Sequence, residues 1–230
     1  MTEIIAHRGA SRDRRENTLA AFTLALEQGA DGIELDVHAT RDGTVVVHHD
    51  PVVRIDPAGP AVPLADLTDR EVAAVRLPGG DPIPTLDAVF DLVGDRATIY
   101  VEIKGSSMTE ILATCLRRHS TARYAVHAFD HRMPLAVRER LPGTRIGLLS
   151  ASYPLNVAAL LQPATADAFW QHQSLIDVSL VEATHAAGCR VIAWTENDPV
   201  HARSLLGMGV DGLCTDIPGV LRTALGLERR

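Results

Sequence analysis

The stretch GIELDV at residues 32–37 places two carboxylates on an otherwise apolar segment. Because side chains of a strand alternate between its two faces, Glu34 and Asp36 project to one side and the aliphatic residues to the other. A charge inside a protein is costly unless it is paired or bound to a metal. This pattern therefore predicts a strand in the core of a sheet that presents two acids to a functional site.

A second stretch, YVEIK at residues 100–104, repeats the arrangement. Glu102 and Lys104 share one face of this strand, and the aliphatic residues cover the other. Together the two strands bring three acids and one lysine to inward positions. We interpret this set as a metal-centred active site.

Strand and helix patterns alternate along almost the whole chain. Eight apolar segments predict strands, namely Ile4–His7, Gly32–His38, Thr98–Lys104, Tyr124–Phe129, Arg145–Leu149, Ala166–Gln171, Arg190–Thr195 and Val210–Cys214. Helical patterns between most of them cover Asn17–Gln28, Met108–His119, His131–Arg140, Leu155–Leu161, Ser179–Ala187, Pro199–Leu206 and Pro218–Leu227. This alternation favours a (β/α)₈ barrel of the TIM type. A doubly wound open sheet is the alternative, but the glycine-rich dinucleotide fingerprint is missing after the first strand.

The segment from Pro51 to Thr85 interrupts the alternation, since it holds seven of the thirteen prolines and only a short helical run near Leu67–Val75. Long loops in compact barrels are usually functional, so we expect residues 51–85 to form a rim or lid over the site. A tolerated surface insertion is the alternative. With this insertion, we expect residues 1–230 to form a single catalytic barrel domain.

Composition excludes several functional classes. A net charge of −7 and an aromatic content of 4% argue against nucleic acid as a partner. Cys115, Cys189 and Cys214 are scattered without CxxC spacing, which is typical of reduced core thiols. No apolar run is long enough to cross a bilayer and no signal peptide pattern opens the chain, so we expect a cytoplasmic protein without stable membrane insertion. The oligomeric state stays open.

Active sites of barrels lie at the C-terminal ends of the strands, and polar or aromatic residues of this chain fall there. His7 ends the first predicted strand and Trp194 lies near the end of the seventh. Glu34 with Asp36, and Glu102 with Lys104, lie toward the ends of the second and third. Four strands thus converge on one rim.

These residues resemble the glycerophosphodiester phosphodiesterase family. The resemblance rests on HRG at 7–9, ENT at 16–18, GADGIELDV at 29–37, TRDGTVVVHHD at 40–50 and VEIK at 101–104. Weaker similarities follow at AFD (128–130), WTEN (194–197) and DGLCTD (211–216). The chain departs from the usual pattern at Arg15, where the family has proline, and at Arg54-Ile55, where it often has Arg-Thr.

The resemblance implies a role for each matched residue. It assigns metal binding to Glu34, Asp36 and Glu102, acid–base catalysis to His7 and His49, and phosphate binding to Arg8 and Lys104. Independently, three converging carboxylates would repel one another without a cation, and an all-oxygen set favours Mg²⁺ or Ca²⁺, with Mn²⁺ as a third candidate. Trp194 is either packing at the barrel top or a wall for the glycerol of the substrate.

Several histidines compete for the second acid–base position. Strand alternation would put His48 and His49 on opposite faces, and the His-Asp pairing of the family selects His49 with Asp50. His38 shares the inward side of Glu34 and Asp36 and is a candidate supporting residue. Imidazole titrates near neutral pH, so two histidines can serve as acid and base.

The favoured function is metal-dependent hydrolysis of a small glycerophosphodiester to glycerol 3-phosphate and an alcohol, with a cyclic phosphate intermediate as the resemblance implies. A phospholipase D-like lyase that acts on lysolipids and stops at the cyclic phosphate is the nearest alternative. A Schiff-base aldolase using Lys104, or a non-catalytic module that binds phosphate or metal, would be further alternatives. The aldolase does not explain the three clustered acids.

Overall fold

Eight parallel strands form a closed barrel in a computed structural model, which describes residues 2–56 and 58–227. β1 pairs with both β2 and β11, which closes the ring and confirms the predicted (β/α)₈ barrel. Each predicted strand is present, with ends that differ by at most two residues. The strands are β1 (Glu3–His7), β2 (Gly32–Ala39), β3 (Val45–Val47), β4 (Val52–Val53), β5 (Val62–Pro63), β6 (Thr98–Ile103), β7 (Tyr124–Ala128), β8 (Arg145–Ser150), β9 (Ala168–His172), β10 (Arg190–Trp194) and β11 (Gly212–Thr215).

Helices follow the barrel strands and pack on the outside of the sheet. The seven predicted barrel helices are present within two residues of their expected ends, but the helix Leu86–Val93 was not predicted. The helices are α1 (Leu19–Glu27), α2 (Asp69–Ala74), α3 (Leu86–Val93), α4 (Thr109–Arg118), α5 (Arg132–Arg140), α6 (Val157–Leu161), α7 (Val178–Ala186), α8 (Pro199–Gly207) and α9 (Pro218–Leu225).

The helix α3 completes the alternation because it lies between β2 and β6, the second and third barrel strands. The Thr85 side chain caps it by accepting a hydrogen bond from the Ala88 N–H, and Gly94 ends it with φ of 58°. Its buried face consists of Leu86, Val89, Phe90 and Val93. A helix of eight residues that starts directly after a proline-rich segment shows only two turns of periodicity, which explains why the sequence pattern missed it.

The segment between β2 and α3 is folded on the C-terminal end of β2. β3 pairs antiparallel with β2, and β4 pairs with β5 in a separate two-stranded sheet. Asp69 accepts hydrogen bonds of 2.6 Å from the hydroxyls of Thr40 and Thr44, which follow β2. The segment has its own apolar cluster, formed by Val46, Val53, Leu64, Leu67, Val72, Val75, Leu77 and Ile83.

Charged groups close the N-terminal end of the barrel. The Tyr100 hydroxyl lies 2.9 and 2.8 Å from the two carboxylate oxygens of Glu3, and Arg190 contributes an ion pair of 2.7 Å to the same carboxylate. Above this network the interior is filled by Ile5, Tyr100, Ala125, Leu149, Ala168, Trp170, Ile192 and Cys214. The opposite, C-terminal end is where polar residues accumulate.

Trp170 and Tyr100 occupy this interior because neighbouring strands supply glycines. A Cβ atom at Gly147 would lie 2.7 Å from Cδ1 of Trp170, and one at Gly32 would lie 2.8 Å from Cε2 of Tyr100. Both distances are too short for a real Cβ contact with a ring that is packed on all sides. Each large ring in the barrel interior therefore requires a glycine on the adjacent strand that it faces.

The structure bears on two expectations from composition, the state of the cysteines and the absence of membrane-spanning helices. Cys115, Cys189 and Cys214 are buried and none of the three is in a disulfide, as expected of core thiols. Within the described residues, no helix combines the length and apolarity that a bilayer crossing requires.

We expect Gly147→Ala to lower the free energy of unfolding by about 1–3 kcal/mol, because the added methyl group overlaps Trp170. Urea unfolding followed by circular dichroism measures this change. Gly207→Ala is the matched control, since a Cβ there meets nothing within 4 Å and Gly207 is helical. Equal stability of the two variants would contradict the proposed packing.

Candidate active site

Three acids are buried at the C-terminal end of neighbouring barrel strands, where the sequence pattern placed them. Glu34 and Asp36 lie on β2, and Glu102 lies on β6 directly opposite Asp36 in the strand register. Their exposed fractions are 2%, 0% and 7%. The two strands therefore hold three carboxylates close together and away from solvent.

Two cations face these acids. The Arg8 Nε lies 3.0 Å from Asp36 Oδ2, and the Lys104 Nζ lies 3.5 Å from Asp36 Oδ1 and 2.7 Å from Glu102 Oε1. Lys104 lies one residue beyond β6, whereas the sequence pattern included it in the strand. Three negative charges against two positive charges leave an excess of one negative charge in the cluster when all five groups are ionised.

The excess is visible in the acid–base behaviour of the carboxyl groups. Burial raises the pKa of Glu102, and the charges of Glu34 and Asp36 raise it further. Burial also opposes ionisation of Asp36, but Arg8, Lys104 and a hydrogen bond from Asn17 outweigh it and lower that pKa. The protein therefore compensates a negative charge on Glu102 less well than one on Asp36.

The carboxylate oxygens of the cluster fit a cation. Asp36 Oδ1 and Glu102 Oε1 are buried and share one ammonium group, that of Lys104, at 3.5 and 2.7 Å. One oxygen each of Glu34 and Glu102 and one nitrogen of His127 lie within 4.8 Å of one another. Asp36 is outside this closest group. Carboxylate oxygens with free lone pairs around excess negative charge suit a hard divalent ion.

His127 is a member of the cluster that sequence reasoning missed. It lies on β7 and is 1% exposed. The signal was present, because the strand pattern that gave residues 124–129 puts His127 on the same inward side as Ala125. The alternation that places the acids inward on β2 and β6 therefore also indicates an inward His127 on β7.

His7 is held by a network around Asp216, which follows β11. The Nδ1 atom of His7 lies 2.7 Å from Asp216 Oδ1. Ser11 Oγ donates to the same oxygen at 2.9 Å, and Asn197 Nδ2 donates to the other oxygen at 2.6 Å. Asp216 and Asn197 belong to stretches with only weak similarity to the family. An acid directly after the last strand is nevertheless expected at the same rim as His7.

The His7–Asp216 pair changes the pKa of both partners. Burial lowers the pKa of His7, but the hydrogen bond to Asp216 and the charge of Glu34 outweigh it and raise the pKa. Burial raises the pKa of Asp216, whereas the hydrogen bond and charge of His7 and further donors bring it down to about 2. Asp216 thus stays ionised and favours protonated His7, with Nε2 left for other contacts.

His48 directly follows β3 and His49 lies in the bend beyond it, so neither residue is part of the strand in which the sequence pattern assumed alternation. They still differ in exposure: His48 is buried, and the His49 side chain is 36% exposed. His49 Nδ1 lies 2.8 Å from Asp50 Oδ1. His38, buried on β2, lies with Nε2 3.1 Å from the His49 carbonyl oxygen and thereby supports the His49 backbone.

Aromatic side chains line the same end of the barrel. Trp194 meets Phe129 edge-on at 5.4 Å and His172 at 5.3 Å between ring centroids. The Lys104 ammonium lies 5.8 Å from the Phe129 ring centroid. Phe129, which sequence reasoning did not single out, is 47% exposed and joins Trp194 in a half-exposed apolar wall beside the charged cluster.

A second group with possible metal ligands lies between α3 and α4, outside the barrel. Asp87, Cys115 and His119 come within 4.8 Å of one another. Asp87 already pairs with His119 at 2.6 Å and with Arg118 at 2.7 Å. Burial, reinforced by the charge of Asp87, raises the pKa of the Cys115 thiol to about 12. This group is a satisfied ion-pair network with a protonated thiol.

Comparison with known proteins identifies the family. Residues 7–220 match the model of the glycerophosphoryl diester phosphodiesterase family. The chain belongs to this family. A glycerophosphodiester phosphodiesterase of Caldanaerobacter subterraneus is 33% identical over 237 residues, with 96% of each chain covered. One of Bacillus altitudinis is 29% identical over 237 residues, with 95% of this chain and 96% of the relative covered.

Solved structures show the same barrel. An Oleispira antarctica phosphodiesterase, solved in complex with the product sn-glycerol-3-phosphate, has a TM-score of 0.89 and 25% identity, covering 98% of this chain and 97% of its own. A glycerophosphodiester phosphodiesterase from Agrobacterium tumefaciens has a TM-score of 0.84 and 26% identity, with 97% and 100% covered. The chain is therefore an enzyme of the phosphoric diester hydrolase class, and family membership supports glycerophosphodiester hydrolysis as its activity.

We expect Asp216→Asn to lower the pKa of His7, because the substitution removes the carboxylate that favours the protonated imidazole. The measurement is an NMR pH titration of the His7 ring in metal-free protein. Asp13→Asn, on the exposed loop after β1, is the control and should leave the His7 titration unchanged. An unchanged His7 pKa in Asp216→Asn would contradict the assigned pairing.

Proposed function

We propose that this enzyme hydrolyses water-soluble glycerophosphodiesters to glycerol 3-phosphate and a free alcohol. Its residues 1–230 would act as one catalytic barrel, with residues 51–85 as the rim of the site. The observation that carries the proposal is the buried cluster of Glu34, Asp36 and Glu102 beside His7, at the end of the barrel where active sites lie.

We assign a divalent metal to Glu34, Asp36 and Glu102. The excess negative charge, the raised pKa of Glu102 and the single ammonium group shared by Asp36 and Glu102 support this assignment. Mg²⁺ and Ca²⁺ are the favoured ions and Mn²⁺ is the third. When bound, such an ion neutralises charge on the phosphodiester and orients the reacting groups.

His7 and His49 are the proposed acid–base pair. One imidazole accepts the proton of the attacking hydroxyl, and the other donates a proton to the alkoxide that leaves. The attacking group of the first step would be a hydroxyl of the glycerol moiety, which gives a cyclic phosphate that water then opens. Asp216 orients His7, and Asp50 orients His49, through hydrogen bonds of 2.7 and 2.8 Å to their Nδ1 atoms.

Arg8 and Lys104 would bind the phosphate. Burial lowers the pKa of Lys104, but Glu102 and Asp36 outweigh it and raise that pKa, so the amine is protonated at neutral pH. A protonated amine is a point charge suited to phosphate and is not a nucleophile. The Schiff-base alternative is therefore not favoured. Trp194, with Phe129, supplies the apolar wall against which we place the glycerol.

The rim has few exposed apolar side chains that could bind an acyl chain. This supports water-soluble diesters with small head groups as substrates and not lysolipids. Val53 and Leu64 are buried in the apolar cluster of the segment between β2 and α3, while Val52 and Ile55 are 37% and 44% exposed. The test is a panel of glycerophosphodiesters and lysolipids followed by ³¹P NMR. Glycerol 3-phosphate from the water-soluble diesters supports the proposal. Accumulation of cyclic phosphate from lysolipids alone would favour the lyase.

Removal of the metal should abolish hydrolysis. We expect protein stripped with EDTA to be inactive and to recover with Mg²⁺, Ca²⁺ or Mn²⁺, because the acid cluster lacks a compensating charge without the ion. Rates of glycerophosphodiester hydrolysis before stripping, after stripping and after each addition provide the measurement. Full activity of rigorously metal-free protein would overturn the metal assignment.

Loss of either catalytic histidine should be severe. We expect His7→Ala and His49→Ala each to lower kcat by roughly 10²–10⁴-fold, the usual cost of losing a positioned acid or base. The control is His48→Ala, whose ring is buried and whose pKa burial lowers. If His48→Ala lowered kcat as much as His49→Ala, the assignment of His49 would be wrong.

The hydrolysis rate should depend on a positive charge at position 104 more than on whether lysine or arginine carries it. We expect Lys104→Met to lose much of the hydrolysis rate and Lys104→Arg to recover part of it, since a guanidinium keeps the charge but cannot form a Schiff base. Steady-state kinetics on one diester measures both variants. Equal inactivity of the two variants, together with borohydride trapping of a carbonyl substrate on the native protein, would contradict the phosphate-binding role.

A further inference from the structure

His127 is a buried histidine for which the proposed reaction has no use. It is 1% exposed and packs flat against Trp170, with 4.3 Å between ring centroids and 13° between ring planes. A buried imidazole without hydrogen bonds is costly. Some interaction must therefore compensate its polar atoms.

The ring nitrogens of His127 lack hydrogen-bond partners among the described residues. Nδ1 is buried and unpartnered, and Nε2 lies 3.8 Å from Glu34 Oε1. That distance is too long for a hydrogen bond. In contrast, two atoms that bind one ion at about 2.0–2.6 Å lie at most about 5 Å apart, and the ligand atoms of His127, Glu34 and Glu102 all lie within 4.8 Å.

The surroundings of His127 hold its ring in this orientation. A Cβ atom at Gly147, on the neighbouring strand β8, would come 2.7 Å from Trp170 and 3.1 Å from the His127 Cβ. The absence of a side chain at Gly147 leaves room for the stack of Trp170 on His127. The chain thus fixes an unpartnered imidazole with one edge toward two metal-binding acids.

We propose that His127 is a direct nitrogen ligand of the divalent ion, in addition to the carboxylates. This inference rests on the metal site of the proposed function and makes that site a mixed nitrogen and oxygen site. Imidazole suits first-row transition-metal ions such as Fe²⁺ and Zn²⁺, whereas Mg²⁺ and Ca²⁺ prefer oxygen ligands. The presence of His127 should therefore raise the affinity of this site for transition-metal ions relative to Mg²⁺ and Ca²⁺, with Mn²⁺ gaining less than Fe²⁺ or Zn²⁺.

The direct test uses Mn²⁺ alone as the probe. Metal-free wild-type protein loaded with one equivalent of Mn²⁺ should show, in pulsed electron paramagnetic resonance, the coupling of one directly bound nitrogen. The coupling should change on ¹⁵N-histidine labelling and disappear in His127→Phe, which keeps an aromatic ring for the stack on Trp170. His127→Asn serves as a second variant if His127→Phe does not fold.

The control variant is His119→Phe, which removes a histidine from the Asp87 group outside the barrel and should keep the nitrogen coupling. Calorimetric titration should show a Kd for Mn²⁺ that is at least about 100-fold weaker in His127→Phe, above the roughly 10–100-fold cost of losing an outer-shell partner, and a much smaller change for Ca²⁺. If His127 had only a structural role, His127→Phe would weaken the binding of Mn²⁺ and Ca²⁺ equally. That result would overturn the proposal.

The outcomes separate this inference from the proposed function. If Mn²⁺-loaded enzyme hydrolyses glycerophosphodiesters but shows no nitrogen coupling, or keeps the coupling in His127→Phe and His127→Asn, the ligand assignment is refuted and the function stands. If the coupling depends on His127 but no glycerophosphodiester is hydrolysed, the function is refuted and the ligand assignment stands.

Discussion

The burial of three carboxylates at one end of the barrel is the constraint on which the site depends. Pairing of β2 with β6 sets Asp36 opposite Glu102, and the protein places Arg8 and Lys104 against them. Arg8 and Asn17 both adopt left-handed backbone conformations, with φ of 57° and 56°. Such a conformation costs a non-glycine residue roughly 1–3 kcal/mol. Both side chains contact Asp36, so this buried acid shapes the loop after β1.

Buried carboxylates are compensated to different extents at the two ends of the barrel. At the N-terminal end, Glu3 is satisfied by Tyr100 and Arg190, and the result is a closed structural network. At the C-terminal end, Glu102 and Asp36 share the Lys104 ammonium, and the three acids outnumber the two cations that face them. Incomplete compensation is destabilising by itself, and the proposed uptake of a cation would complete it.

Much of the fold and part of the site were predictable from the sequence. The parity of residues 32–37 and 100–104 located the three acids, because strand alternation is a local rule. The helix Leu86–Val93 was missed because its period is short and it follows a proline-rich segment. Asp216 meets His7 because β11 pairs with β1 where the barrel closes, and His127 lies near Glu34 because β7 and β2 both pair with β6; both sets join residues far apart in the chain. Their contacts needed the three-dimensional structure.

We propose that one divalent ion compensates the excess charge of the acid cluster and is required for hydrolysis. The most direct measurement is the hydrolysis rate of one glycerophosphodiester as a function of the number of metal ions bound per chain. We expect the rate to rise in proportion to occupancy and to level off at one ion per chain, and Glu102→Gln to bind the ion much more weakly. A rate that is independent of bound metal would contradict the claim.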